Sequence, residues 1–343
     1  MTEPIPLAEI EAARGRIAGA AIRTPLVRLN ASEAPAEIYL KLENLQPIGS
    51  FKLRGAGNAI GKMLDADGAI PAGSPLHAGV FTASAGNMAQ GVAWNAQRLG
   101  IPCTVLVPAH APETKLAAIR RLGSEIVKIS FDEWWEIILY GRSNADGHFT
   151  FGDFNPNLAS PLPNGVFIHP VSDPAVMAGN GTIGLEIVED LPDMDAVVIP
   201  YGGGGLMSGI GSAVKARAPQ AKVFAAEVDT AAPLSASLAA GEVREVDYTP
   251  TFVDGAGGKT VLPDMWPRVR KLVDASLVVT VEQAAAAVRL LIERNRVVAE
   301  GAGALPVAAA LAGMAGVGKV VCIVSGGNID SVKIAKILQG ELP

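Results

Sequence analysis

An amine that has lost its proton can condense with an aldehyde, and Lys52 is set for that chemistry. It follows Gly49-Ser50-Phe51 at the start of a predicted helix, with Ser50 as N-cap, and apolar Phe51 and Leu53 flank it. Burial disfavours the ammonium form and makes a lysine a usable nucleophile. Taken alone, the motif also fits an ordinary exposed lysine.

Three stretches of small residues could hold what such an amine acts on. Thr82-Ala83-Ser84-Ala85-Gly86-Asn87 lies between a strand and a helix pattern. There, small side chains let a ligand reach the backbone, and a helix N-terminus offers N–H groups to a carboxylate. A capping turn is the alternative. Tyr201-Gly202-Gly203-Gly204-Gly205 follows an apolar strand. Four consecutive glycines are conformationally costly, and make sense where successive N–H groups wrap a phosphate ahead of a helix. Neither the separated glycines of a dinucleotide site nor the lysine of a nucleotide P-loop is present, which disfavours a nucleotide. Val324-Ser325-Gly326-Gly327-Asn328 presents a hydroxyl after the last apolar strand.

The elements that must position these residues alternate. Strands are expected at Val80–Thr82, Thr104–Val107 and Glu125–Ile129, with helices over Asn87–Leu99 and from Pro112 to Leu122 between them. A second series has strands at Ala196–Ile199, Lys222–Ala226 and Val320–Val324, which Ile38–Leu42 joins. Its helices are Pro174–Glu189, Leu206–Arg217, Val281–Arg294 and Ile329–Leu338. Such alternation predicts parallel βαβ units. The expected fold is α/β with two open twisted sheet domains. Residues 1–72 and 157–343 form the large one, and 73–156 a small one with a mobile asparagine loop and an aromatic insertion. Phe131 to Phe167, with Trp134, Trp135, Phe149, Phe151 and Phe154, reads as a long loop, either a lid or an edge elaboration.

Composition narrows the function classes. With 49% hydrophobic and 18% charged residues the chain can bury sizeable cores, and its net charge of −6 argues against nucleic acid. Cys103 and Cys322 sit in apolar runs and read as core thiols. His77, His110, His148 and His169 show no metal-ligand spacing. Met1 to Glu11 lacks the apolar centre of a secretory signal, and no apolar run reaches membrane-spanning length, so a cytoplasmic protein is expected.

Together and in this order, the motifs resemble the fold-type II pyridoxal-phosphate enzymes, and within them the serine/threonine dehydratases and serine racemase. The resemblance runs from Thr24-Pro25-Leu26 to Asn328 and includes Asp173 to Gly179, Gly181-Thr182-Ile183 and Glu300-Gly301-Ala302-Gly303-Ala304. It implies a tryptophan synthase beta-like architecture with pyridoxal 5'-phosphate in the cleft between the domains, and a homodimer. Lys52 would hold the cofactor as a Schiff base, with Phe51 against the ring. Gly202, Gly203, Gly204 and Gly205 would bind its phosphate, Asn87 its ring hydroxyl and Ser325 its pyridine nitrogen. Ser84, Ala85, Gly86 and Asn87 would take the substrate carboxylate through their N–H groups. Lys52 and Ser84 are the expected catalytic residues, and Met88 and Trp135 are expected at the substrate. A hydroxyl partner leaves the pyridine largely neutral, which favours expulsion of a β-leaving group. The implied reaction turns a β-hydroxy-L-amino acid into a 2-oxo acid and ammonia. Glu300 is a further candidate at the ring edge.

Three departures from the family pattern bear on the reaction. Racemases carry a second serine where this chain has Ala85, and relatives commonly have histidine at the position of Met88. Glu227 is a candidate divalent-cation ligand, but Pro233 stands where an aspartate is usual, which speaks against the ion. The tryptophans replace a more polar stretch and point to a larger β-substituent, such as that of 3-phenylserine. The chain stops soon after its last helix, so neither a C-terminal regulatory domain nor feedback inhibition by isoleucine is expected. Serine racemase, a β-replacement enzyme and a non-catalytic cofactor-binding regulator are the competing readings.

Overall fold

Strands buried on both faces have no reason to alternate apolar and polar residues, and Ala196–Pro200 is buried at every position. The computed structural model of the chain describes residues 3–143, 149–151, 158 and 161–343. They pack as two units, one of residues 1–11, 22–51 and 180–343, the other of 12–21 and 52–179.

In the first unit six strands form one sheet. Their order is Leu26–Arg28, Glu37–Leu42, Lys319–Val324, Ala196–Pro200, Lys222–Val228 and Ala275–Val279. Only the pairing of the first two is antiparallel. Leu40, Val198 and Cys322 share one face and pack on Ala304, Leu305 and Ala308 of the helix Gly301–Leu311. Thr24-Pro25-Leu26 serves a buried polar knot on the other face of the sheet, to which Lys41 points. Buried Lys41 donates to the Thr24 carbonyl and to Glu186, each at 2.6 Å, and Thr24 donates its hydroxyl to Glu43. Removing one partner of such a pair would strand a buried charge, at a cost of about 3–5 kcal/mol.

The second unit is built on four parallel strands in the order Glu125–Ile129, Cys103–Pro108, Val80–Ala83, Val166–Phe167. Successive residues of a strand point to opposite faces, and the two faces carry separate cores. Val80, Val105 and Val107 pack on Ala56, Ile60, Val92 and Ile119 from the helices Lys52–Gly61, Asn87–Leu99 and Glu113–Arg121. Phe81, Ala83 and Leu106 pack on Ile137 and Ile138. Gly100 and Gly123, both with left-handed φ, follow the ends of two of these helices as the sequence implies.

The elements and their boundaries differ from the sequence reading at several points. Residues 52–72 and 161–179 belong with the smaller sheet, because the helix Lys52–Gly61 packs against Asn87–Leu99; the expected boundary at 156/157 lies outside the described residues. Phe131–Tyr140 is a helix rather than the start of a loop, with a Ser130/Glu133 capping box at its N-terminus. Trp134 packs toward Phe149, Phe151 and Leu162 in the second core, while Trp135 is 38% exposed. Adjacent helical residues point about 100° apart, so only one of the two tryptophans enters the core. Phe154 and His148 lie outside the described residues. Finally, Ser50 does not cap the helix after it: its side chain is buried with no hydrogen-bond partner for Oγ, and its backbone pairs with Gly326.

Candidate active site

Parallel pairing sets what emerges at the carboxyl edge of the larger sheet. Cys322 is level with Val198, so the register continued upward brings Ser325 level with Tyr201, the residue before the glycine run. Ser325 is buried. The segment ahead of Lys52 lies along it: Phe51 donates its N–H to the Ser325 carbonyl at 3.0 Å, and Gly327 donates to Gly49 at 2.9 Å. Asn328 closes this ribbon with a bond to the Ile48 carbonyl. Gly49 sits at a left-handed φ of +72° that a side chain would strain, and a Cβ there would stand 2.7 Å from Asn328 Oδ1. Two motifs far apart in sequence are thus one piece of structure.

Tyr201-Gly202-Gly203-Gly204-Gly205 turns from the strand into the helix Gly205–Arg217. Gly204 is left-handed at φ +92° and occupies the N-cap, where no side chain accepts from the first-turn N–H groups. A Cβ on Gly202 would stand 3.2 Å from the Gly255 carbonyl. The second wall, Gly255-Ala256-Gly257-Gly258, is held by a bond from the Gly257 N–H to the Tyr201 carbonyl. A cradle that side chains would fill, ahead of an uncapped helix of 13 residues, suits a phosphate. The pyridoxal-phosphate cofactor fits these residues. Glu300 is buried, and its Oε1 lies 2.6 Å and 3.5 Å from where Cβ atoms on Gly326 and Gly255 would be. Its carboxylate therefore fills the space between the Ser325 turn and the second wall.

The smaller unit carries the amine. Lys52 is half-buried between buried Phe51 and Leu53, and its Nζ donates to the Pro170 carbonyl at 2.9 Å. Three close approaches fix its helix. A Cβ on Gly91 would stand 2.9 Å from the Lys52 carbonyl carbon, and one on Gly179 would stand 2.4 Å from the Arg54 oxygen. Asn95 donates to both the Leu53 and the Gly91 carbonyls. Gly179 closes the Asp173–Gly179 motif, which accounts for the small residue there.

In the asparagine loop, the helix Asn87–Leu99 starts from Gly86 with no side-chain cap, and Asn87 is half-buried at its first position. The Ser84 N–H is committed to the Leu106 carbonyl, and its Oγ accepts from the Gly86 N–H at 3.2 Å. Ser84 therefore offers a hydroxyl to a ligand, and its amide belongs to the fold. Met88 is turned away from the loop into the core with Val80 and Val105, which removes it from the substrate face. Trp135 stacks on Trp134, their ring centroids 6.3 Å apart, on the helix Phe131–Tyr140.

Glu227 has a different task from the one its position suggests. Its carboxylate accepts from the N–H groups of Leu234 and Ser235 and from the Ser276 hydroxyl, at 2.7 to 2.9 Å. It caps the helix Pro233–Ala240, whose first residue is the proline that replaces the expected aspartate. Burial raises its pKa above the usual carboxylate range. Among the described residues no group of three or more His, Cys, Asp or Glu could hold a metal ion, and no helix is long and apolar enough to cross a membrane.

Two features escaped the sequence reading. The wall at 255–258 had a signal, three glycines in four residues. His169 had none. It is fully buried, Nε2 donates to the Ile138 carbonyl at 2.9 Å, and Nδ1 accepts from Val171 and Ser172 at 3.0 and 2.8 Å. Burial, with Arg142 and Lys52 nearby, lowers its pKa to about 3.

Comparison with known proteins agrees with this geometry. The family model described as pyridoxal-phosphate dependent enzyme matches residues 17–326. The chain is 42% identical over 309 residues to an L-threonine ammonia-lyase of Thermotoga maritima, covering 89% of this chain and 71% of the relative. It is 36% identical to the catabolic L-threonine dehydratase of Escherichia coli K12, covering 97% and 96%. The solved structure of maize serine racemase superposes with a TM-score of 0.80 at 30% identity, over 99% of this chain and 98% of that one. The chain therefore belongs to the pyridoxal-phosphate dependent enzymes, in the fold-type II branch of serine/threonine dehydratases and serine racemases, with pyridoxal phosphate as its cofactor.

Proposed function

We propose that the protein is a dehydratase that converts a β-hydroxy-L-amino acid of the serine/threonine class to a 2-oxo acid and ammonia. The observation that carries elimination over racemisation is Ala85. It stands half-buried in the asparagine loop, where a methyl group has no proton to deliver to the second face of Cα. The names of the two relatives above, an ammonia-lyase and a dehydratase of threonine, support the same reading.

Bound pyridoxal phosphate supplies the electron sink for the bond broken at Cα. Lys52 Nζ would make the covalent tie to the cofactor. When free, the Lys52 amine would take the α-proton of the substrate, held meanwhile by the Pro170 carbonyl. The loop from Ser84 to Asn87, at an uncapped helix start, takes the substrate carboxylate. Gly202 to Gly205 and their uncapped helix would hold the cofactor phosphate, and the family resemblance would give Ser325 to the ring nitrogen and Asn87 to the ring hydroxyl. The exposed edge of Trp135 is the surface on which a β-substituent larger than methyl would be read.

Borohydride trapping followed by peptide mapping tests the first assignment. The cofactor should be found on Lys52, and a label on another lysine overturns it. A panel of L-serine, L-threonine, 3-phenylserine and 3-hydroxyaspartate, with keto-acid and chiral analysis, tests the reaction. Keto-acid release should exceed D-enantiomer formation by far, and comparable rates would refute elimination as the main activity.

A further inference from the structure

The geometry points to His169 as a positioning residue for the Lys52 amine, acting through the turn at 169–172 and the Pro170 carbonyl. The inference rests on Lys52 being the cofactor lysine.

A carbonyl can seat an amine only if the peptide carrying it is held still. Pro170 has no N–H with which to anchor itself, so its orientation depends on its neighbours. Both following amides, those of Val171 and Ser172, donate to one atom, His169 Nδ1. The opposite nitrogen, Nε2, donates to the Ile138 carbonyl and fixes the ring as the neutral tautomer with its proton on Nε2. The Phe167 ring meets the imidazole edge-on, with centroids 5.8 Å apart. The turn is therefore wound around an unprotonated nitrogen, and the carbonyl at its start receives Lys52 Nζ. A protonated ring would set a third donor against two amide donors and undo the turn. The charged groups acting on the ring, Arg142 and Lys52, both oppose that proton, as does its burial.

For Lys52 the seat has a directional consequence. An amine that donates one N–H to a fixed carbonyl is held with its lone pair turned elsewhere, which a proton-accepting lysine requires. The same carbonyl then stabilises the ammonium that results, because hydrogen bonds from charged groups are the stronger ones.

Two substitutions separate this role from mere packing. In His169→Asn the Oδ1 atom replaces Nδ1 as acceptor for the two amides, whereas His169→Leu fills the space with no acceptor. The readout is the pH dependence of covalent cofactor attachment to the cofactor-stripped full-length chain, followed by absorbance, which reports the apparent pKa of the Lys52 amine. His169→Asn should keep the parent value. His169→Leu should lower it by about one unit and slow attachment about tenfold. A folded His169→Leu protein with the parent pKa, or a His169→Asn protein that loses it, overturns the inference. Nitrogen-15 spectra of the parent decide the case even if His169→Leu fails to fold. They should show neutral His169 protonated on Nε2 at pH 6, and the other tautomer or a charged ring refutes the mechanism. Failure of the underlying assignment shows separately, as borohydride label on a lysine other than Lys52.

Discussion

Gly91→Ala tests the packing that sets Lys52. The added methyl would stand 2.9 Å from both the carbonyl carbon and the oxygen of Lys52, and 3.0 Å from the Leu53 nitrogen. All three are backbone atoms of a helix that Asn95 also ties down, so no rotamer change relieves the contact. Non-bonded carbons settle near 3.5 Å, so the two helices must part by about 0.6 Å. Overpacking of this kind costs about 1–3 kcal/mol, against roughly 1 kcal/mol gained from replacing a helical glycine by alanine. The net expectation is a loss of up to about 2 kcal/mol, with Lys52 displaced by a similar fraction of an ångström. Since a misplacement of about 1 Å can cost a hundredfold in rate, roughly a tenfold fall in kcat is expected.

Gly15→Ala is the internal control. Gly15 lies in the helix Leu7–Arg16, and a Cβ there meets nothing within 4 Å. The same chemical change should therefore stabilise by up to about 1 kcal/mol and leave kcat unaltered. Urea midpoints of both holoenzyme variants and their steady-state rates give the comparison. If Gly91→Ala is as stable and as active as Gly15→Ala, the close approach does not position Lys52, and the argument fails.

Ala85→Ser should raise the D-enantiomer fraction formed from L-serine, read by chiral chromatography; no change would remove Ala85 as the determinant. His169 titrates near 6.5 when exposed and near 3 in the fold. The fold thus resists a proton that the unfolded chain accepts. Its contribution is complete above pH 6.5 and is lost as pH falls through that window, by roughly 1.4 kcal/mol per unit at most. Parent stability should therefore fall more steeply between pH 6.5 and 5 than that of His169→Asn, and parallel curves would refute the shift. Trp135→Ala should lower kcat/KM for 3-phenylserine relative to threonine about tenfold, consistent with losing one ring contact and part of its buried area. Trp134→Ala should instead lower the unfolding midpoint, and an unchanged substrate ratio in Trp135→Ala removes the aromatic subsite.

Strands and helices were readable where apolar runs and stop signals coincide, as at Leu99-Gly100 and Leu122-Gly123, whereas the strands Leu26–Arg28, Val166–Phe167 and Ala275–Val279 and the helix Gly301–Leu311 were not. The helix Phe131–Tyr140 was hidden by its own composition. Adjacent tryptophans and nearby glycines read as a binding loop, while the Ser130/Glu133 capping box that starts the helix is four residues long and easily passed over. Met88 was misplaced for a related reason. Its position in the loop motif suggested a ligand contact, but the first turn of a helix points one residue outward and the next inward, and Met88 is the inward one. Glu227 shows the limit of motif transfer. The carboxylate is retained while its neighbour is proline, and the structure uses it to cap the helix that the proline starts.

Much of what could not be read from the sequence around Lys52 acts through backbone atoms. The seat of Lys52 is a carbonyl oxygen, and every residue has one, so nothing in the identity of Pro170 marks it. His169 is visible in the sequence, yet its partners are the main-chain groups of residues 138, 171 and 172. Glycines are the partial exception. A glycine run announces that something approaches closely, but not what. At Gly202 the neighbour is the main chain of Gly255, and at Gly91 it is the main chain of Lys52 itself. Substitutions at glycines in this protein will accordingly be silent at some positions and not at others. A side chain added at Gly15 meets solvent, whereas one added at Gly91 meets the backbone of the residue proposed to do the chemistry.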